Sequence, residues 1–177
     1  LMRGEHVVDR QTLSLRIRTA GQTYKRTFRS AVDGSVQYYA VVPQTKPTPG
    51  SGLVLSLHGA SVEATSQADA YRSKDWTSIV CPTNRRPYGF DWEDIGRLDA
   101  MEVLNDATKA LKPDPARISL TGHSMGGHGT WQVGATLPGH WNAIAPSAGW
   151  VSFFSYAGGV RASDPDPVEG LIQRASN

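Results

Sequence analysis

The sequence predicts an α/β fold: a mostly parallel sheet that opens with antiparallel strands and carries helices on both faces. Three observations predict it. Strand-like segments joined by turn residues, among them Asp33-Gly34, fill residues 12–42. From residue 53 onward, apolar runs alternate with helical periodicity, the arrangement that builds parallel sheets. Finally, Arg117-Ile-Ser-Leu-Thr-Gly-His-Ser-Met-Gly-Gly-His-Gly-Thr-Trp131 reads as strand, sharp turn and helix in one short stretch.

Leu13, Leu15 and Ile17 alternate with polar residues, which predicts a half-buried strand. Gly21-Gln22 turns the chain into Tyr24–Ser30, and Asp33-Gly34 turns it again into Val36–Val42, rich in strand formers. The segment 43–52, with its prolines and glycines, is an exposed connection. Leu53-Val-Leu-Ser-Leu57 is almost wholly apolar, as a central strand covered on both faces must be. It runs into His58-Gly59-Ala60-Ser61. Residues 63–71 suit a helix, and Thr77–Val80 a second buried strand ending at Cys81-Pro82. Ile95, Leu98, Met101, Leu104, Ala107 and Leu111 recur at three- and four-residue steps, one face of an amphipathic helix stopped by Pro113 and Pro115. Trp141–Pro146 is a last strand candidate. The tail 155–177 turns to Gly, Ser, Asp and Pro without periodicity. The expected organisation is therefore one domain: N-terminal strands over 12–42, a core over 53–150, and an irregular tail.

Bulk properties narrow the function. The 177 residues carry 39% hydrophobic and 19% charged residues, enough to bury a core, and a net charge of only +2. The basic residues are scattered, so no nucleic-acid surface is expected, and no apolar run approaches a membrane span. A soluble chain is expected, with compartment and oligomeric state left open. The single cysteine, Cys81, excludes an internal disulfide, and burial as a small hydrophobe is its expected role. The histidines lack metal-ligand spacing, so neither a metal nor another cofactor is expected.

Chemistry concentrates in Gly122-His123-Ser124-Met125-Gly126, a G-x-S-x-G sequence between a strand and a helix. A serine at the tip of so sharp a turn sits in a strained backbone conformation. Residues two positions either side need almost no side chain, or strand and helix could not approach. Such a turn lifts the Ser124 hydroxyl clear of the backbone and aims the Met125 N–H, at a helix N-terminus, toward a developing oxyanion. Ser124 is thus the candidate nucleophile. His58-Gly59, Cys81 and Ser124 all fall at the carboxyl ends of predicted strands, where α/β sheets hold their ligands.

These residues resemble the α/β-hydrolase superfamily, and more closely its prolyl-oligopeptidase-like and esterase branch. The resemblance spans about residues 28–152. It rests on His58-Gly59 after a hydrophobic strand, on the Gly122–Gly126 elbow, on the Gly129-Thr130-Trp131 and Ala145-Pro-Ser-Ala-Gly149 stretches, and on the loop Asn84–Trp92. It implies a serine hydrolase acting on a small ester or peptide substrate through an acyl-enzyme on Ser124. Backbone N–H groups of Met125 and Ala60 would hold the oxyanion, with Ser61 an alternative to Ala60. Nothing in the elbow separates peptidase from esterase. An acyltransferase of the same fold, or a non-catalytic binding module, is the alternative.

The resemblance also implies an acid and then a histidine after the serine. Only His128 and His140 follow Ser124, one on the elbow helix and one before the last strand, at the opposite rim. With that order unfilled, and the chain opening on Leu1-Met2, the 177 residues are expected to be the N-terminal part of a longer hydrolase domain, inactive and poorly stable alone. His58 precedes Ser124 and is expected to pack the oxyanion loop rather than act as base; His123, beside the serine, is expected to pack nearby. Arg85, Asp91 and Trp92 are candidates for the cleft wall, weighed against a structural loop with a buried aromatic, which is favoured. The five tryptophans, including Trp131 and Trp150, are expected to be mostly core.

Overall fold

A computed structural model describes residues 2–3, 6–7, 9–14, 17–86 and 91–152. Its elements, in chain order, are β1 (Met2–Arg3), β2 (His6–Val7), β3 (Tyr24–Arg29), β4 (Val36–Val42), β5 (Gly52–Leu57), α1 (Ala64–Asp69), β6 (Thr77–Cys81), α2 (Asp94–Leu111), β7 (Ile118–His123), α3 (Met125–Thr136) and β8 (Ala143–Ser147). Strands β1 and β2 form a separate antiparallel pair among the described residues. The rest form one six-stranded sheet in the order β3-β4-β6-β5-β7-β8. Pairing is antiparallel from β3 through β4 to β6 and parallel from β6 through β5 and β7 to β8.

The period of two in the strands decides which helix each side chain meets. Leu53, Leu55 and Leu57 of β5 join Tyr39, Val41, Val80 and Leu120 beneath α2 and α3, where Ala100, Val103, Ala107, Met125 and Val133 meet them. Ala40, Val42, Ile79 and Cys81 point to the opposite face and pack on Ala64 and Ala68 of α1. Helices therefore cover both faces, as expected. Lys112 takes a left-handed conformation (φ 50°) and its N–H donates to Thr108 O, so α2 ends at Leu111, two residues before Pro113.

The strand expected around Leu13, Leu15 and Ile17 is a correction. Residues 9–14 and 17–19 have no regular structure, and Leu13 and Ile17 are 76% and 90% exposed; Leu15 and the tail from residue 155 lie outside the described residues. A short alternation reports a strand only where a buried face receives it. Here the described sheet ends at β3, whose outward Lys25, Thr27 and Arg29 leave no apolar surface to dock on. The tryptophans divide similarly. Trp92 is wholly buried, but Trp76 and Trp131 are 53% and 39% exposed. Trp131 falls on the outer side of α3 because its neighbours Thr130, Val133 and Gly134 take the inner one.

One ionic cluster ties the antiparallel hairpin to α2. Arg85 Nη1 lies 3.2 Å from Asp33 Oδ2 and Nη2 lies 3.0 Å from Glu102 Oε2, while Nη2 also donates to Ser30 Oγ at 2.9 Å. Its Nε stands 3.2 Å from Oδ1 of the fully buried Asp99, out of line for a hydrogen bond, so that attraction is Coulombic. Burial pushes the Asp99 carboxyl up, with Arg85 and Thr83 pulling against it. Arg85→Ala would strand Asp99 without its counter-charge. A destabilisation of about 2 kcal/mol is expected, below the usual range for a broken buried pair because Asp99 can take up a proton. For the same reason the deficit is expected to narrow as pH falls: a neutral Asp99 does not need the guanidinium. Urea unfolding of both proteins at pH 7 and pH 5 checks both points.

Candidate active site

Strand β7 delivers Ser124 to the carboxyl rim of the sheet, and α3 starts at the next residue. Ser124 has φ 56° and ψ −119°, a conformation L-residues adopt at a cost of about 1–2 kcal/mol. The surroundings hold it there. The Ser124 N–H donates to Ser147 O on β8 at 2.9 Å, and its carbonyl accepts the His128 N–H at 3.0 Å. A Cβ on Gly122 would overlap the carbonyl of Gly126, and one on Gly126 would overlap the carbonyl of Leu57. Strand β7, helix α3 and the end of β5 thus meet backbone to backbone, and the two elbow glycines are the positions that allow it.

The loop after β5 crosses beside the serine. A Cβ on Gly59 would lie 3.3 Å from His123 O and 3.6 Å from Ser124 Cβ. Ala60 follows, exposed, and the turn closes through Val62 N–H to Gly59 O at 3.2 Å. On the other side, the Met125 N–H is the first of α3 and has no acceptor within its helix. Its side chain is buried in the core. Among the described residues the half-buried Ser124 hydroxyl makes no hydrogen bond. The arrangement therefore brings the Gly59 end of that loop and the N-terminus of α3 beside Ser124.

Among the described side chains, it brings no histidine ring into hydrogen-bond contact with Ser124. His58 is fully buried: Nε2 contacts Thr83 O at 2.9 Å and Nδ1 contacts Gly59 O at 2.9 Å, which fits the expected packing role. His123 is exposed, with Nδ1 at 3.2 Å from Ser147 Oγ. His128 is buried on α3, its Nε2 at 2.9 Å from Glu93 Oε1 and its Nδ1 at 3.0 Å from Trp150 O, with the ring stacked on Trp150 at 4.6 Å. His140 is exposed ahead of β8, at the opposite rim from Ser124.

Trp92 and Arg85 do not line an open cleft. The Trp92 indole is buried and its Nε1–H donates to His58 O at 3.0 Å, while Arg85 is spent on the ionic cluster. The structural alternative holds for both. Asp91 is half-buried; burial pushes its carboxyl up, His128 opposes this and Glu93 adds to it. Cys81 ends β6 at the same rim, but its side chain packs under α1, where burial pushes the thiol up against a weaker pull from Ser56. A concavity of about 640 Å³ lined by Arg18, Thr23, Tyr24, Lys25, Thr65 and Asp69 opens on the α1 face, away from Ser124. Among the described residues no group of three metal-ligating side chains converges, and no helix is long and apolar enough to cross a membrane.

Sequence reasoning missed the Trp92–His58 bond and the Glu93–His128 pair. Both join residues far apart in the chain, and no local spacing announces them.

No protein-family model and no curated protein matches the sequence. Solved structures do match the fold. The chain superposes on a ferulic acid esterase with a TM-score of 0.63 at 19% identity, covering 88% of this chain and 67% of that one. It superposes on an S-formylglutathione hydrolase from Staphylococcus aureus with a TM-score of 0.59 at 15% identity, covering 74% and 58%. With a prolyl endopeptidase the TM-score is 0.54 at 18% identity, covering 76% of this chain and 22% of the longer protein. The chain thus spans 58% and 22% of the length of the last two of these proteins.

Proposed function

We propose, from the α/β-hydrolase fold that this chain carries, that the protein is a serine hydrolase cleaving an ester or peptide bond through an acyl-enzyme on Ser124. The observation that carries the reading is the Ser124 backbone, at φ 56° and ψ −119°, strained at a strand–helix junction beside the Gly59 loop. In this reading Ser124 Oγ attacks the carbonyl carbon and its proton passes to a base. The carbonyl oxygen becomes an oxyanion between the Met125 and Ala60 N–H groups. The C–O or C–N bond then breaks, and the departing group takes the proton. Water resolves the acyl-enzyme; an alcohol in its place would make the protein an acyltransferase, a difference that product analysis resolves.

One observation favours a second reading, a non-catalytic binding module. The four histidines whose side chains are described, His58, His123, His128 and His140, are held on other groups or lie at the far rim. A serine without a base is a weak nucleophile. Reaction of the intact protein with a fluorophosphonate distinguishes the two. The hydrolase reading expects stoichiometric modification, mapped by peptide mass spectrometry to Ser124; an unmodified Ser124 at saturating reagent favours the binding module.

A further inference from the structure

We infer that Trp92 is a positioning residue for the oxyanion-binding backbone, holding the loop that carries Ala60 at a set distance from helix α3. This rests on the serine-hydrolase reading, in which the two oxyanion donors come from different elements. Ala60 lies on the β5–α1 loop and Met125 at the start of α3, and something must fix one against the other to within a fraction of an ångström.

The side chain of Trp92 touches both. The Trp92 indole is completely buried and donates from Nε1 to His58 O at 3.0 Å. Its ring meets the His58 imidazole edge-on, with centroids 4.8 Å apart and planes at 67°. Its other side lies on α3: a Cβ built on Gly129 would overlap indole atoms, so the ring packs on bare helix backbone.

The bond to His58 O orients the loop as well as anchoring it. All described peptides are trans, so each N–H points opposite to the preceding carbonyl. Fixing His58 O on Trp92 therefore aims the Gly59 N–H, and fixing Gly59 O on the Val62 N–H aims the Ala60 N–H. Trp92 holds the first of these two linked planes. The chain accepts strain to place the ring: Asp91, Trp92 and Asp94 have φ of 51°, 67° and 39°. Such conformations persist where packing over-determines them. A phenylalanine would fill the space but leave the buried His58 carbonyl without its donor.

The test is Trp92→Phe in the intact protein, with rates referred to Ser124 sites titrated to completion by fluorophosphonate. The expected result is a fall in kcat of about tenfold to a hundredfold, with KM within about twofold, because the lost alignment matters most in the transition state. A purely structural role would lower the melting temperature and the number of titratable sites while leaving kcat per site unchanged, and that result overturns the inference. Should Trp92→Phe not fold, Gly129→Ala tests the same packing from the helix side; its added methyl displaces the ring, and an unchanged kcat per site overturns the inference equally. Failure of the wild type to react at Ser124 sinks the serine-hydrolase reading instead, so the two failures are separable.

Discussion

In the intact protein, Ser124→Ala is expected to lose ester hydrolysis by ~10³-fold or more, together with all fluorophosphonate modification. The loss is expected without unfolding. Alanine keeps the Cβ, so the strain at φ 56° is unchanged, and removing the hydroxyl breaks no hydrogen bond among the described residues. Melting should move by the equivalent of about 0.5 kcal/mol or less. Ser124→Gly provides a control on the strain itself: glycine tolerates positive φ and should melt higher than the alanine variant while being equally inactive. Undiminished hydrolysis by Ser124→Ala would place the chemistry elsewhere on the protein.

Gly126→Val is expected to remove both activity and stability. The new Cβ would overlap the Leu57 carbonyl and crowd the His58 carbonyl, and neither is a side chain that can rotate away. Relief requires α3 to back off from β5, which drags Ser124 and the Met125 N–H with it. A cost of about 3 kcal/mol or more is expected, beyond ordinary overpacking because backbone must move. Activity should fall by about a hundredfold or more with displacement of the reacting groups. His123→Ala is the comparison: His123 is exposed, with Nδ1 3.2 Å from Ser147 Oγ, and its loss should be mild on both counts. Thermal melts and esterase rates for the pair decide the matter. A Gly126→Val protein with wild-type rate and melting temperature would mean that no tight elbow exists at Ser124.

Much of this site was legible because its constraints are local. Gly122, Ser124 and Gly126 sit within one strand-to-helix turn, and the steric demand of that turn is written in the spacing of the glycines. The β5 and β6 strands were legible for a related reason, since a strand covered on both faces must be apolar throughout. What stayed hidden depends on partners distant in sequence. Nothing near Trp92 says that it bonds the His58 carbonyl, and nothing near Arg85 says that its charge meets Asp33, Asp99 and Glu102. Leu13 and Ile17 show the converse error, an alternating pattern with no buried face to receive it.

The tie between the hairpin and α2 bears on the order in which the chain assembles. Its bonds join Ser30 to Glu102 and Arg26 to Asp106, positions 72 and 80 residues apart. Closing loops of that length is entropically unfavourable until the intervening β5, β6 and α2 have collapsed into a compact unit. Docking of the β3–β4 hairpin is therefore expected to be a late event, after the folding transition state. Arg26→Ala, which breaks the hairpin's bond to Asp106, should accordingly be felt in the unfolding rate, with refolding nearly as fast as in the wild type.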